Sequence, residues 1–69
     1  MIEVRQLRFA VATADAQNFS RAAEAMRIKQ STLSRRIAAL EARLGIKLFE
    51  RSTRGAIPTE QGKAFLSVA

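Results

Sequence analysis

Residues 21–45, RAAEAMRIKQSTLSRRIAALEARLG, decide how this chain folds. In the second half of the stretch, the apolar residues Leu33, Ile37, Leu40 and Leu44 recur at steps of four, three and four. On a helix turning about 100° per residue, that spacing gathers them within about 60° of arc. The opposite side of the same helix carries Ser31, Arg35, Ala38 and Ala42, flanked by Thr32 and Ser34. A solvated helix face ordinarily mixes Glu with Lys. This face is built of small residues, hydroxyls and an arginine, and its first three turns hold no acid. It is shaped to lie close against another surface.

Working outward, Gly45 follows the last apolar residue of the stripe and marks a helix end, where a positive φ is needed. The third helix is therefore expected over about 30–44. Ahead of it, residues 19–26 read as a short second helix with Ala22, Ala23 and Met26 inward. Residues 27–29 form the turn, with Ile28 plugging the corner. Two helices joined by so short a turn, the second with a clean outward face, make a helix-turn-helix pattern. Residues 3–16 read as a first helix, with Val4, Leu7, Ala10, Val11 and Ala14 on one stripe and Phe9 beside it. Gln17 and Asn18 must then turn the chain, and Asn18 or Ser20 is placed to cap the second helix.

After Gly45 the period changes. Ile46, Leu48 and Phe49 precede the turn cluster Ser52-Thr53-Arg54-Gly55, and Ala56-Ile57-Pro58 follow. This reads as a small hairpin with strands near 47–51 and 56–58 and Arg54 at or beside its tip. Pro58 suits a two-stranded ribbon rather than a central strand. Thr59 caps a fourth helix, with Glu60 in its positively polarised first turn. Phe65, Leu66, Val68 and Ala69 are its apolar residues, and no stop signal follows, so the helix is expected to continue in a longer parent chain. The fold class expected is mainly α: a winged helix-turn-helix with a three-helix core, a β-hairpin wing and the start of a C-terminal linker helix. The domain division is 1–58 for the winged helix-turn-helix and 59–69 for the truncated linker helix.

The chain has 69 residues, room for one domain, of which 48% are apolar, enough for a small core. A chain of this size buries only about 60% of its unfolded surface, so its stability is marginal. It has no Cys and no His, which excludes disulfides, thiol chemistry, Cys/His metal sites and histidine acid–base catalysis. No apolar run approaches the roughly 18 residues of a membrane span, and no signal peptide is evident, so a cytoplasmic setting is expected.

The net charge is +6, and its placement is uneven. Between Arg27 and Arg54 stand Arg27, Lys29, Arg35, Arg36, Arg43, Lys47, Arg51 and Arg54 against only Glu41 and Glu50, so 8 − 2 = +6 falls in this segment. Elsewhere Arg5, Arg8, Arg21 and Lys63 balance Glu3, Asp15, Glu24 and Glu60. Such asymmetry is the footprint of a polyanion-binding surface, although a basic solvated face would carry the same charge.

The strings NFSRAAEAMRIKQSTLSRRIAALEARLGIKLFER, STRG and PTEQG together resemble the N-terminal domain of LysR-type transcriptional regulators. The resemblance covers essentially the whole chain. It rests on Phe19, Ala22-Ala23-Glu24, Gln30, Leu33-Ser34-Arg35, Leu40-Glu41, Leu44-Gly45, Leu48-Phe49-Glu50-Arg51, Thr59-Glu60 and Gly62 at their spacings. It implies a third helix in the DNA major groove, a wing in the minor groove, a linker helix that pairs in a homodimer, and a separate C-terminal domain that binds a small-molecule effector. Carried over by position, Gln30, Ser34 and Arg35 are the base-reading candidates, with Ser31, Thr32 and Ala38 beside them. Ser20, Arg36, Arg51, Thr53 and Arg54 are the wing and phosphate candidates. Phe65, Leu66 and Ala69 are the dimerisation candidates.

Arginine suits a bidentate contact to guanine and glutamine one to adenine. No catalytic residue, metal ligand or cofactor is expected in this domain, and no membrane partner. Several positions depart from the family pattern. Phe9-Ala10 inverts the usual placement of an aromatic, and Gln17 replaces a common glycine. Lys29 replaces the usual Ser or Thr cap, and Ser31 stands where proline is frequent, which would let Ser31 cap a helix starting one or two residues later.

Other readings remain open from sequence. The molybdate-responsive regulators carry a similar first domain, although LFER and the Thr59-to-Gly62 pattern favour the LysR type. An RNA- or protein-binding module is a further alternative, but RNA base stacking uses exposed aromatics. Here the four Phe sit at or beside apolar stripes, and Tyr and Trp are absent. An enzyme lacks any support in Gly-rich loops or paired carboxylates.

Overall fold

Three helices form first along the chain: α1 (Val4–Ala16), α2 (Phe19–Met26) and α3 (Gln30–Leu44). A hairpin of β1 (Phe49–Ser52) and β2 (Gly55–Pro58) follows, then α4 (Glu60–Val68). The computed structural model describes residues 4–52 and 55–68. Thr53, Arg54 and Ala69, three of the sequence candidates, lie outside the described residues. The expected winged helix-turn-helix is present, and the strands differ from the expected bounds by one or two residues.

α2 and α3 are delimited by local chemistry. The Asn18 side chain accepts the Arg21 backbone N–H at 2.9 Å, so Asn18 is the cap of α2 and Ser20 is not. The chain leaves α2 with Arg27 at φ 58, its N–H donating to the Glu24 carbonyl at 3.1 Å while that of Ile28 donates to the Ala23 carbonyl at 3.0 Å. This is a Schellman turn, and it reverses the chain within three residues. α3 begins at Gln30, with extended Lys29 making no side-chain cap bond. The later start capped by Ser31 therefore does not occur; Ser31 lies exposed inside the first turn. Gly45, at φ 71, closes α3 with its N–H on the Glu41 carbonyl.

The core contains Leu33, Ile37 and Leu40 from α3, Ala22 and Ala23 from α2, and Leu48, Phe49 and Ala56 from the hairpin region. Leu44 is only half-buried at its edge. α1 corrects the sequence reading. Its buried residues are Phe9, Ala10 and Thr13, whereas Val4 is 67% and Val11 41% exposed. The buried face is rotated by about 100° from the apolar stripe, roughly one residue step on a helix. Thr13 explains the shift. Its hydroxyl donates to the Phe9 carbonyl at 2.8 Å, which satisfies the polar atom inside the core.

The wing is anchored through backbone groups. In the antiparallel register Phe49 faces Pro58, Glu50 faces Ile57, Arg51 faces Ala56 and Ser52 faces Gly55. The Ala56 N–H donates to the Gln17 carbonyl at 3.0 Å, fastening β2 to the end of α1. A Cβ on Gly55 would sit 2.2 Å from that same carbonyl oxygen, so only glycine permits the approach. At the other end, Thr59 donates its N–H to the Leu48 carbonyl and its hydroxyl to the Lys47 carbonyl, and that hydroxyl accepts the Gly62 N–H at 2.9 Å. Thr59 thus caps α4 and ties it to the start of the wing. Phe65 and Leu66 are both half-buried against the core. Their ~100° separation on the helix leaves neither of them fully exposed.

Candidate nucleic-acid interface

The outward side of α3 presents Gln30, Ser31, Arg35, Arg36, Ala38, Ala39 and Ala42 as exposed residues, with Thr32 and Ser34 half-exposed. Thr32, Arg35, Arg36 and Ala39 enclose a shallow hollow. The buried stripe Leu33–Ile37–Leu40 holds this side rigidly outward. Small side chains at Ala38, Ala39 and Ala42 leave the helix backbone accessible to a broad, close-fitting surface. Among the described residues, no carboxylate pairs with Arg35 or Arg36.

Both acids of the basic segment are engaged elsewhere. Glu41 Oε2 accepts the backbone N–H groups of Leu48 and Phe49 at 2.8 and 3.3 Å. Glu50 lies 4.0 Å from Lys47, with both side chains exposed, a pair of little energetic weight. The first of these links α3 directly to the root of the wing.

A second cluster forms where α2, α3 and the wing meet. Asn18, Phe19, Ser20, Gln30, Arg51, Ser52 and Gly55 line a cleft of about 290 Å³. Phe49 meets Phe19 edge-on, with ring centroids 6.1 Å apart. The Arg51 guanidinium carbon stands 4.5 Å above the Phe19 ring, a cation–π contact that steadies an exposed arginine. The Ser20 hydroxyl donates to Gln30 Oε1 at 2.7 Å.

The structure therefore brings Ser20, Gln30 and Arg51 together and keeps them continuous with the α3 face. Phe65 and Leu66 belong to α4, against the core. Sequence reasoning named Glu41 only as part of a pattern and missed its two amide bonds; its isolation in a basic segment was the available signal. The roles of Gly55 and Gly62 in close backbone approach were also missed, because a glycine's neighbours are not visible in sequence.

Residues 4–63 match the model of the bacterial regulatory helix-turn-helix proteins of the lysR family. The chain belongs to the LysR family. Among LysR relatives, the HTH-type transcriptional regulator TfdT of Cupriavidus pinatubonensis is 50% identical over 68 residues, covering 99% of this chain and 30% of TfdT. TcbR of a Pseudomonas species is 44% identical over 99% of this chain and 23% of its own length. The chain thus spans less than a third of the length of these curated relatives. It is similar in structure to the CbnR DBD in its DNA complex, with a TM-score of 0.92 at 43% identity over 97% of this chain and 77% of that one. The BenM DBD in complex with benA site 1 DNA gives a TM-score of 0.91 at 42% identity, covering 97% of this chain and 75% of that one. The family match decides for the LysR type over the molybdate-responsive one. No described helix is long and apolar enough to cross a membrane.

Proposed function

We propose that this domain binds double-stranded DNA sequence-specifically, as the N-terminal DNA-binding domain of a bacterial LysR-type transcriptional regulator in the cytoplasm. α3 enters the major groove and the wing lies along the minor groove. The observation that carries this reading is the outward face of α3, small and acid-free, with Arg35 unpaired and exposed at its centre. A B-DNA major groove is about 12 Å wide and admits one α-helix whose outer side chains are short. The similarity to the CbnR and BenM domains in DNA complexes supports it.

In this reading Arg35, Gln30 and Ser34 reach base edges, Ser31, Thr32 and Ala38 lie beside them, and Ser20, Arg36, Arg51, Thr53 and Arg54 meet the backbone or the minor groove. Residues 1–58 form the reading module. Residues 59–69 begin a linker helix whose further turns pair two copies through an apolar seam that includes Phe65, Leu66 and Ala69. A homodimer then selects a roughly palindromic site, and a small-molecule effector acts through another domain of the parent protein. The domain performs no catalysis and holds no cofactor.

The test compares two substitutions on a selected site and on scrambled DNA. Arg35→Ala weakens specific binding by about 1–3 kcal/mol and relaxes preference at one base pair per half-site. Ala38→Glu abolishes binding to both while folding stability stays within about 0.5 kcal/mol, as expected of an exposed helix position. An Ala38→Glu protein that binds DNA normally refutes the placement of α3. Equal loss on both DNAs for Arg35→Ala confines Arg35 to phosphate.

A further inference from the structure

Arg51 is held by an aromatic ring rather than by a carboxylate. Its guanidinium carbon stands 4.5 Å over the Phe19 ring, and among the described residues no acid pairs with it. The ring itself is fixed. Phe19 is 7% exposed, and Phe49, 2% exposed, meets it edge-on with centroids 6.1 Å apart. Phe49 and Arg51 are alternate residues of β1, so their side chains leave the same side of the strand. That side of β1 therefore grips the Phe19 ring twice, through a buried ring and through an exposed cation.

The kind of anchor has an electrostatic consequence. A carboxylate steadies an arginine by neutralising it, and then competes with any phosphate that approaches. A ring attracts the cation through its quadrupole and leaves the net charge in place. An arginine already held also loses less rotamer freedom when it binds a ligand. Stability alone does not call for a cation here. Phe19 is the first residue of α2, whose first turn carries no acid, and a helix start favours negative charge.

We propose that Phe19 is a positioning residue for DNA binding: its ring holds the Arg51 guanidinium, still fully charged and already ordered, to take a backbone phosphate. This rests on the reading of the domain as a DNA-binding module. The cleft that Phe19 and Arg51 line also includes Ser20, Gln30 and Ser52, so the anchored cation stands where α2, α3 and the wing converge. A phosphate carries no base identity, so the ring acts on affinity for all sequences alike. A ring that served only as packing would change folding stability and leave the DNA affinity of the folded chain untouched.

The experiment titrates random-sequence duplex DNA with the 69-residue chain, with Arg51→Ala, and with both chains carrying mono-, di- or trifluorinated phenylalanine at position 19. Each is first shown folded by circular dichroism. Fluorine withdraws electron density from the ring face while nearly keeping its shape. Arg51→Ala lowers affinity and reduces the salt slope of log K by about one. In the chain that keeps Arg51, affinity falls stepwise with each fluorine, by about two- to fivefold at the third, the size of one exposed cation–π contact. In the Arg51→Ala chain the same fluorines change nothing. An affinity insensitive to fluorine while Arg51→Ala weakens binding overturns the proposal, and so do equal fluorine effects in the two chains. Arg51→Ala binding as tightly as the unmutated chain overturns it as well. Failure of the unmutated chain to bind DNA overturns the DNA-binding reading itself, an outcome distinct from the others.

Discussion

Removing the Glu41 carboxylate loosens the wing from α3 and lowers stability by an amount the structure bounds. Glu41 Oε2 accepts two backbone N–H groups, from Leu48 at 2.8 Å and Phe49 at 3.3 Å. A hydrogen bond to a charged acceptor contributes roughly 1.5–3 kcal/mol when well formed. The longer of the two contributes less, and the site is only partly buried, so water re-solvates part of what is lost. The expected cost of Glu41→Ala is therefore about 2 kcal/mol. Glu41→Gln keeps an acceptor oxygen but loses the charge, and costs about 1 kcal/mol. For a domain of this size each kcal/mol moves the midpoint by about 4–8 °C, so Glu41→Ala melts about 8–16 °C lower. Thermal unfolding followed by circular dichroism at one protein concentration measures this. In native-state hydrogen exchange, the Leu48 and Phe49 amides lose protection beyond the global change. A Glu41→Ala protein that melts within 2 °C of the unmutated chain, with both amides still protected, refutes the argument that this carboxylate fastens the wing.

Gly62→Ala costs at least about 2 kcal/mol, because its Cβ would lie 2.2 Å from the Leu48 carbonyl oxygen and neither backbone yields easily. Gly45→Ala meets nothing within 4 Å and costs only the strain of φ 71, about 1 kcal/mol; denaturant midpoints in the reverse order contradict both assignments. Gln17→Gly relieves a left-handed residue at φ 54 and stabilises the domain by about 0.5–1 kcal/mol net of the glycine's greater unfolded freedom, read from the same melts. Arg36→Ala weakens binding to all DNA sequences alike and reduces the salt slope of log K by about one, measured by titration across a range of salt concentrations.

Much of the fold is written in the sequence because its signals are local. The four-three-four stripe of α3, the Gly45 stop, the Asn18 cap and the Thr59 cap each act within a few residues, and all appear where expected. The first helix was read less well because Thr13 is polar by type but apolar in effect once its hydroxyl is bonded to Phe9. The contacts that assemble the site were least legible. Ser20 with Gln30, Glu41 with the Leu48 and Phe49 amides, and Arg51 over Phe19 join residues seven to thirty-two positions apart, where periodicity carries no information. The near contact at Gly55 depends on the carbonyl of Gln17, in the turn between α1 and α2 and far from Gly55 along the chain.

These contacts also explain why the basic surface stays basic. The segment from Arg27 to Arg54 holds eight cationic side chains and two acids. If the acids faced outward beside Arg35 and Arg36, they would cancel part of the field that attracts phosphate and would repel the backbone directly. Instead Glu41 is turned inward onto two amides, and Glu50 sits in the hairpin, within reach of Lys47. One carboxylate thus serves two ends. It locks the wing against α3, so the two move as one body, and its own charge is spent on backbone dipoles rather than on the neighbouring arginines. Folding and function favour the same acid at position 41 for different physical reasons. A glutamine there would keep much of the fold, but with a weaker hold on the wing.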